Sequence, residues 1–546
     1  MADGAITDGA VTDGTVTDGA VTDGAITDGA VSDGAVTDGA VTDGAVSDGA
    51  SPRFIGHLLW VVLSLGQPLA AADWQFDVQF AETTRAEPYS GRVYLFFGTS
   101  DQPEPRHGPN WFSPQPFASV LVANWPPGES LRIAAGNPEV EAFPRPLNEA
   151  ALGKLHVQAV ARFNDWERAV GSGPGNGYSA VMTLPEHPPD EPLRLTIDRL
   201  IPPREFHETP WSKRLAVRSA RLSAFHGRDV EVQAAVLLPK SYYDQPARRY
   251  PTIYQIPGFG GTLFFGRRDE PIDEHNPGNV EFLRVTLDPN CPWGHHVFAD
   301  SETNGPWGTA LVAEWLPEYE RQFRGAQAAH GRLLTGHSSG GWSSLWLQIT
   351  YPETFGGVWS TAPDSVDFRD FQRINIYRAG ENAYRDPAGN RRPIARRGEQ
   401  VAIWLDDFDR MEQVLGHGGQ FESFEAVFSP RGANGRPLPL WDRRSGALDA
   451  AVARAWERFD IRLVLERNWP TLGPRLAGKL HIFMGESDTF YLEGAVRLLK
   501  DALQRLGSDA VIEIHPGKDH GSLLTPELRD RIRREMAETF LRGENR

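Results

Sequence analysis

Two regimes of apolar spacing divide the chain. Asp73-Trp74-Gln75-Phe76-Asp77-Val78-Gln79-Phe80 alternates apolar and polar residues, the mark of a strand with one buried face. Gly91–Phe97 and Lys154–Ala161 read as further strands, and Pro and Gly clusters at 103–109 and 171–177 punctuate them. The spacing predicts an all-β, sandwich-like domain over residues 73–190. A Pro-rich passage follows and reads as a linker over 191–212. From residue 213 the pattern changes. Short apolar runs (Pro251–Ile256, His296–Asp300, Gly331–Thr335, Lys479–Met484, Ala510–Ile514) alternate with stretches of helical period. Leu311, Trp315, Tyr319 and Phe323 recur at steps of four, and Leu492, Ala495, Val496, Leu499, Leu503 and Leu506 form a stripe that Gly507 is placed to cap. Pro526–Leu541 reads as the last helix. Alternating strand and helix predicts an α/β domain over 213–546, with a mainly parallel sheet covered on both faces.

The first 72 residues differ from both regimes. Residues 5–49 are nine pentapeptides of the Ala-Val-Thr-Asp-Gly type. A period of five fits neither a helix nor a familiar solenoid. With no large apolar residue the segment is expected to be disordered over 1–50. Residues 51–72 combine Arg53, the apolar run Phe54–Leu65 and an Ala-x-Ala site, which reads as a signal peptide; the competing reading is a membrane anchor. The expected location is secreted or periplasmic, with no stable membrane span after cleavage and a true start downstream of the repeat. Charge fits no nucleic-acid partner. The net −17 includes ten Asp and one Arg in residues 1–72, which leaves −8 for residues 73–546, and no basic run stands out. One cysteine, Cys291, allows no intramolecular disulfide.

The chemistry centres on Gly336-His337-Ser338-Ser339-Gly340, a G-x-S-x-G pattern between an apolar run and the helix-like Trp342–Thr350. Strand, sharp turn and helix are the setting of a nucleophile elbow, which makes Ser338 the candidate nucleophile. A serine hydroxyl needs a base, usually a histidine oriented by a carboxylate. The acid should end the strand 480–484; Asp488 is the choice there, with Glu486 the alternative. The histidine should follow the last strand, where His520 lies in a loop of small and polar residues and His515 reads as structural. An oxyanion hole needs two backbone N–H groups. Ser339 supplies one candidate, and the loop Pro257-Gly258-Phe259-Gly260-Gly261 supplies the other through Phe259 or Gly260. His295-His296 lacks a metal-binding pattern, so no metal is expected.

Five segments carry a resemblance: Ile256–Gly261, Asn304-Gly305-Pro306-Trp307-Gly308, Gly336–Trp342, Gly485-Glu486-Ser487-Asp488 and Asp519-His520. Together they resemble the putative-esterase family, the esterase D and enterochelin-esterase-like branch of the α/β-hydrolases, over roughly residues 213–546. The resemblance implies an α/β-hydrolase domain that cleaves esters by a Ser-Asp-His triad without a cofactor. It also implies that the N-terminal β domain is similar to the sandwich preceding some of these esterases. The chain departs from smaller members in the interval 361–478, which reads as an insertion or cap rich in aromatic and Arg residues. Trp307, Trp342, Trp404 and Trp441 are the candidates for lining a substrate pocket. The expected activity is carboxylic-ester hydrolysis through an acyl-enzyme, acting on a small-molecule or carbohydrate-linked ester. The alternatives are an acyltransferase on the same fold and a non-catalytic carbohydrate-binding protein.

Overall fold

The computed structural model describes residues 73–273 and 275–545. The pentapeptide repeat and the signal-like segment lie outside the described residues. Among the described residues no helix is long and apolar enough to cross a membrane.

Eight strands build the sheet of the α/β region: β1 (Ser212–Arg218), β2 (Glu231–Leu237), β3 (Thr252–Ile256), β4 (Leu283–Leu287), β5 (Arg332–His337), β6 (Gly357–Thr361), β7 (Leu480–Gly485) and β8 (Val511–His515). Their spatial order is β1-β2-β4-β3-β5-β6-β7-β8. The β1–β2 and β2–β4 pairs are antiparallel, and every pair from β4 to β8 is parallel. Neighbouring residues are buried in the central strands, as with Leu333 and Leu334, Val358 and Trp359, and Ile482 and Phe483. Both faces of these strands are covered, so their sequences are apolar runs and not alternations. The stripe on helix Glu493–Arg505 is buried, and Gly507 follows it at φ +68°. The four-residue step of Leu311, Trp315 and Tyr319 has its own cause. Leu311–Trp315 is a π turn between two α segments, and its wider turn keeps these three residues buried.

The N-terminal region departs from expectation in two ways. Its strand pairing joins nine strands into one sheet instead of the two sheets of a sandwich. The interval assigned to a linker holds the strand Leu193–Leu200, which pairs in parallel with Gln75–Phe80. Proline clusters flank that strand, but its own Leu195 and Ile197 alternate with exposed residues and fill the sheet's core.

The central strand Tyr89–Gly98 explains how this sheet is used. Its run Val93-Tyr94-Leu95-Phe96-Phe97 is apolar at every position because both faces are covered. Val93, Leu95 and Phe97 join the sheet's own core with Phe76, Phe80 and Trp125. Tyr94 and Phe96 join the core of the α/β region with Phe117, Phe143 and Val160. The second face lies against the insertion between β6 and β7. That insertion contains the hairpin Pro393–Arg397 with Gln400–Trp404 and the helices Leu405–Leu415, Gln420–Phe428 and Ala450–Trp456. The last carbonyls of helix Leu405–Leu415 need partners from outside the helix. Ser119 Oγ donates to Val414 O at 2.7 Å and Tyr94 Oη to Leu415 O at 2.6 Å, and just beyond the helix Arg162 Nη1 donates to His417 O at 2.7 Å.

Candidate active site

Ser338 stands between β5 and helix Ser339–Thr350 with φ 59° and ψ −126°. A non-glycine residue reaches that region only under tertiary constraint. Here Ser338 N–H donates to Thr361 O at 3.1 Å, and Ser338 O accepts from Trp342 N at 3.1 Å and Asp364 N at 3.2 Å. The flanking glycines make the turn possible. A Cβ on Gly336 would fall 2.0 Å from Gly340 O, and one on Gly340 would fall 1.9 Å from Ile256 O. Both obstacles are backbone, so strand and helix could not approach this closely with any larger residue.

The loops after β7 and β8 are joined by two backbone bonds, Glu486 N to His515 O and Ser487 N to Lys518 O, each 3.0 Å. This pairing brings Asp488 under His520, with Asp488 Oδ2 2.7 Å from His520 Nδ1. Asp488 is fully buried, and its Oδ1 accepts from Phe490 N at 2.8 Å. Arg396 of the insertion donates to the Asp488 carbonyl at 3.0 Å and pairs with Glu493 at 2.6 Å, which braces the loop from outside. Glu486 faces away and accepts from Gly517 N at 3.1 Å. His515 lies 3.6 Å from Glu513. The geometry therefore joins Asp488 to His520 and leaves Glu486 and His515 apart from them.

Burial is the strongest single influence on His520 and favours its neutral form. The charge and hydrogen bond of Asp488, with Asp364 and Asp519 behind them, outweigh it and hold the imidazole above its usual value. His337 packs its ring 4.6 Å from that of His520. Burial, then the nearby His520, pushes His337 down to about 3, so it stays neutral beside the pair.

The Gly258–Gly261 loop is a tight turn closed by Gly261 N to Gly258 O at 2.9 Å, with Gly260 at φ +86°. A positive φ at the third position is what a type II turn requires. The turn leaves Phe259 and Gly260 at its crest. A Cβ on Gly258 would lie 3.8 Å from Ser338 Oγ, which fixes how near the loop runs to that hydroxyl. His295 Nε2 bonds Pro257 O at 3.0 Å and steadies the loop from below. His296 stacks on Trp307 at 3.8 Å. Both histidines are fully buried and do structural work.

Several residues at the site were not assigned from the sequence. Asp364, three residues beyond β6, accepts from Ser339 Oγ at 2.5 Å and from Ser338 Oγ at 3.4 Å. Its burial pushes it up to about 6. Its position at the same sheet edge as Ser338 was the available signal. Gln420, at the start of an insertion helix, donates to Ser339 Oγ at 3.3 Å. Phe490 meets the His520 ring edge-to-face at 5.0 Å.

The predicted pocket tryptophans fare differently. Trp307, Trp342 and Trp441 are packed in the interior. Trp342 stacks on Trp346 at 5.3 Å, and Trp441 meets Phe421 at 4.9 Å. Trp307 and Trp342 were chosen for their place in the motif segments and Trp441 for its place in the aromatic-rich insertion, and their area is used in core packing. Trp404 is half-buried in the hairpin with Arg391 4.9 Å above its ring. The half-buried rings beside Phe259 and His520 are Trp111 and Phe490.

Residues 226–407 match the family model described as "Putative esterase". No curated protein sequence matches the chain. Similar solved structures include an S-formylglutathione hydrolase from Agrobacterium tumefaciens, at 14% identity and TM-score 0.36, covering 60% of this chain and 95% of that one. The fluorophosphonate-binding serine hydrolase F of Staphylococcus aureus aligns at 12% identity and TM-score 0.38, covering 60% of this chain and 99% of that one. Dipeptidyl peptidase 4 of Porphyromonas gingivalis aligns at 12% identity and TM-score 0.34, covering 78% of this chain and 46% of that one.

Proposed function

We propose that this esterase, whose residues 226–407 match the putative-esterase family model, is a serine carboxylic-ester hydrolase working through Ser338, His520 and Asp488. The observation that carries this reading is the 2.7 Å Asp488–His520 pair beside a serine held at positive φ on a strand-to-helix turn. His520 Nε2 takes the Ser338 Oγ proton as Oγ bonds to the ester carbonyl carbon. The carbonyl π electrons move onto oxygen, and the Ser339 N–H with that of Phe259 or Gly260 receives the oxyanion. Collapse of this intermediate breaks the bond to the alcohol, which leaves with the proton from His520. Water then repeats the sequence on the acyl-enzyme and frees the acid. Asp488 keeps the imidazole in the tautomer with Nδ1 protonated and stabilises the imidazolium.

In the free state the Ser338 hydroxyl bonds Asp364, so attack requires a rotation about its Cα–Cβ bond toward His520. Such catalytic contacts commonly tighten only when substrate is bound. The test is hydrolysis of p-nitrophenyl acetate together with labelling by a fluorophosphonate probe. Ser338→Ala is expected to abolish labelling and to lower turnover on the order of thousands-fold. Near-normal turnover by a folded Ser338→Ala protein refutes the assignment.

A further inference from the structure

The N-terminal β sheet does more than cover the insertion. Two of its loops reach the candidate oxyanion loop. Trp111 lies between strands Tyr89–Gly98 and Phe117–Trp125, and Arg168 follows strand His156–Ala161. These loops leave opposite ends of the central strand, since His156 pairs with Gly98 and Ala161 with Val93. They fold back and meet where Arg106 hydrogen-bonds the carbonyl of Gly171.

Trp111 is the hub of an aromatic group drawn from four segments. Its ring centroid is 5.8 Å from Phe259 in the oxyanion loop, 4.9 Å from Phe408 in the insertion and 6.4 Å from Phe490 beside His520. The last two contacts are edge-to-face, an arrangement aromatic rings favour. Arg168 places its guanidinium carbon 4.6 Å from the centre of the Phe259 ring, and its Nε donates to Asn290 Oδ1 at 3.0 Å. Asn290 Nδ2 in turn donates to Gly261 O at 2.8 Å. The β domain therefore reaches the oxyanion loop at the Phe259 ring and, through Asn290, at its backbone. Trp111, Phe259 and Phe490 are each half-buried, so the group keeps apolar surface open next to Ser338 and His520.

We propose that Trp111 of the N-terminal β domain is the wall against which a bulky apolar acyl group packs, and that Arg168 positions the Phe259 loop. This rests on the ester-hydrolase reading above. The acyl group stays in the site through both half-reactions, joining Ser338 in the first and leaving it in the second, so a wall beside the oxyanion loop acts on both. Arg168 touches no reacting atom and acts through Phe259 and Asn290.

The experiment compares p-nitrophenyl acetate with p-nitrophenyl esters of larger apolar acids, so that the leaving group is constant. Trp111→Ala is expected to lower the bulky-to-acetyl ratio of kcat/KM by roughly tenfold or more, with Trp111→Phe in between. Arg168→Gln is expected to lower kcat about tenfold for both acyl sizes while KM stays put, as misplaced oxyanion donors would. Tyr94→Phe loosens the same domain contact away from the site and should leave the ratio unchanged. A ratio unmoved by Trp111→Ala, or moved equally by Tyr94→Phe, overturns the wall; unchanged kcat in Arg168→Gln overturns the positioning role. A second arm measures binding of the intact esters to the Ser338→Ala protein with and without Trp111→Ala. If the wild-type enzyme hydrolyses neither ester, the reaction reading fails, while loss of the bulky-ester preference in this arm still supports the wall and its persistence overturns it.

Discussion

Replacing Asp488 by Asn tests the acid with almost no change in shape. The carboxylate accepts two hydrogen bonds in different directions, Phe490 N–H at Oδ1 and His520 Nδ1 at Oδ2. An amide has one acceptor and one donor end. If its oxygen stays with Phe490 N–H, its NH2 faces His520 and selects the tautomer with Nε2 protonated, which cannot accept the Ser338 proton. If the amide flips, its NH2 opposes Phe490 N–H in a fully buried position, at about 1–3 kcal/mol of stability. The first arrangement avoids that cost. The expected loss in kcat is then about 10⁴-fold, or about 5.4 kcal/mol of transition-state stabilisation. A second readout follows from the same contact. His520 is held above its usual value of about 6.5, so activity in the wild type should rise through a limb above that pH as the imidazole becomes neutral. Without the Asp488 charge, burial acts with less opposition, and the limb of the residual activity moves to lower pH. The assay is kcat/KM for p-nitrophenyl acetate across pH, with the melting temperature as the check on folding. Glu486→Gln serves as the comparison and should cost little. A folded Asp488→Asn enzyme within about tenfold of wild type, or one whose pH limb does not move, refutes the reasoning.

Other substitutions probe the support of the site. Gly340→Ala should leave little folded protein in a soluble-expression and thermal-melt assay, because its Cβ would sit 1.9 Å from the Ile256 carbonyl oxygen and neither backbone can yield. Tyr94→Phe removes the donor to Leu415 O and should lower stability by about 1–3 kcal/mol in a denaturant titration, with hydrolysis of small esters retained. Trp441→Ala should cost about 3–5 kcal/mol in the same titration, without a selective change in acyl preference, since the ring is buried against Phe421 away from open surface. A selective change there would return Trp441 to the pocket.

How far the sequence could be read depends on how local the determining physics is. The strand-to-helix turn at Ser338 was legible because its steric demand falls on residues two positions either side of it, and Gly336 and Gly340 record it. That Asp488 and His520 come to one sheet edge was legible because each follows a strand whose apolar run is visible, although only the pairing of the β7 and β8 loops separates Asp488 from Glu486. The larger errors share one cause, which is that an apolar residue does not say which surface will cover it. The unbroken run 93–97 means two covered faces, and the second cover is an insertion more than 300 residues further along the chain, through Val414 and Leu415. Trp307, Trp342 and Trp441 were read as open for this reason, and Trp111 carried no assignment. These large rings filled the core, and of the half-buried rings near the site Trp111 arrives from the N-terminal sheet, far away in the chain. Strand Leu193–Leu200 adds a smaller case: prolines at its edges suggested a break, but an edge proline removes only one N–H, and the alternation of Leu195 and Ile197 was enough to pair with Gln75–Phe80. Where a long-range partner sets the burial, the pattern in the chain fixes that a residue is covered and leaves open by what. The proposed aromatic wall at Trp111 belongs to that class, so a substitution there, in the N-terminal sheet region, is expected to alter acyl preference while Ser338, His520 and Asp488 stay in place.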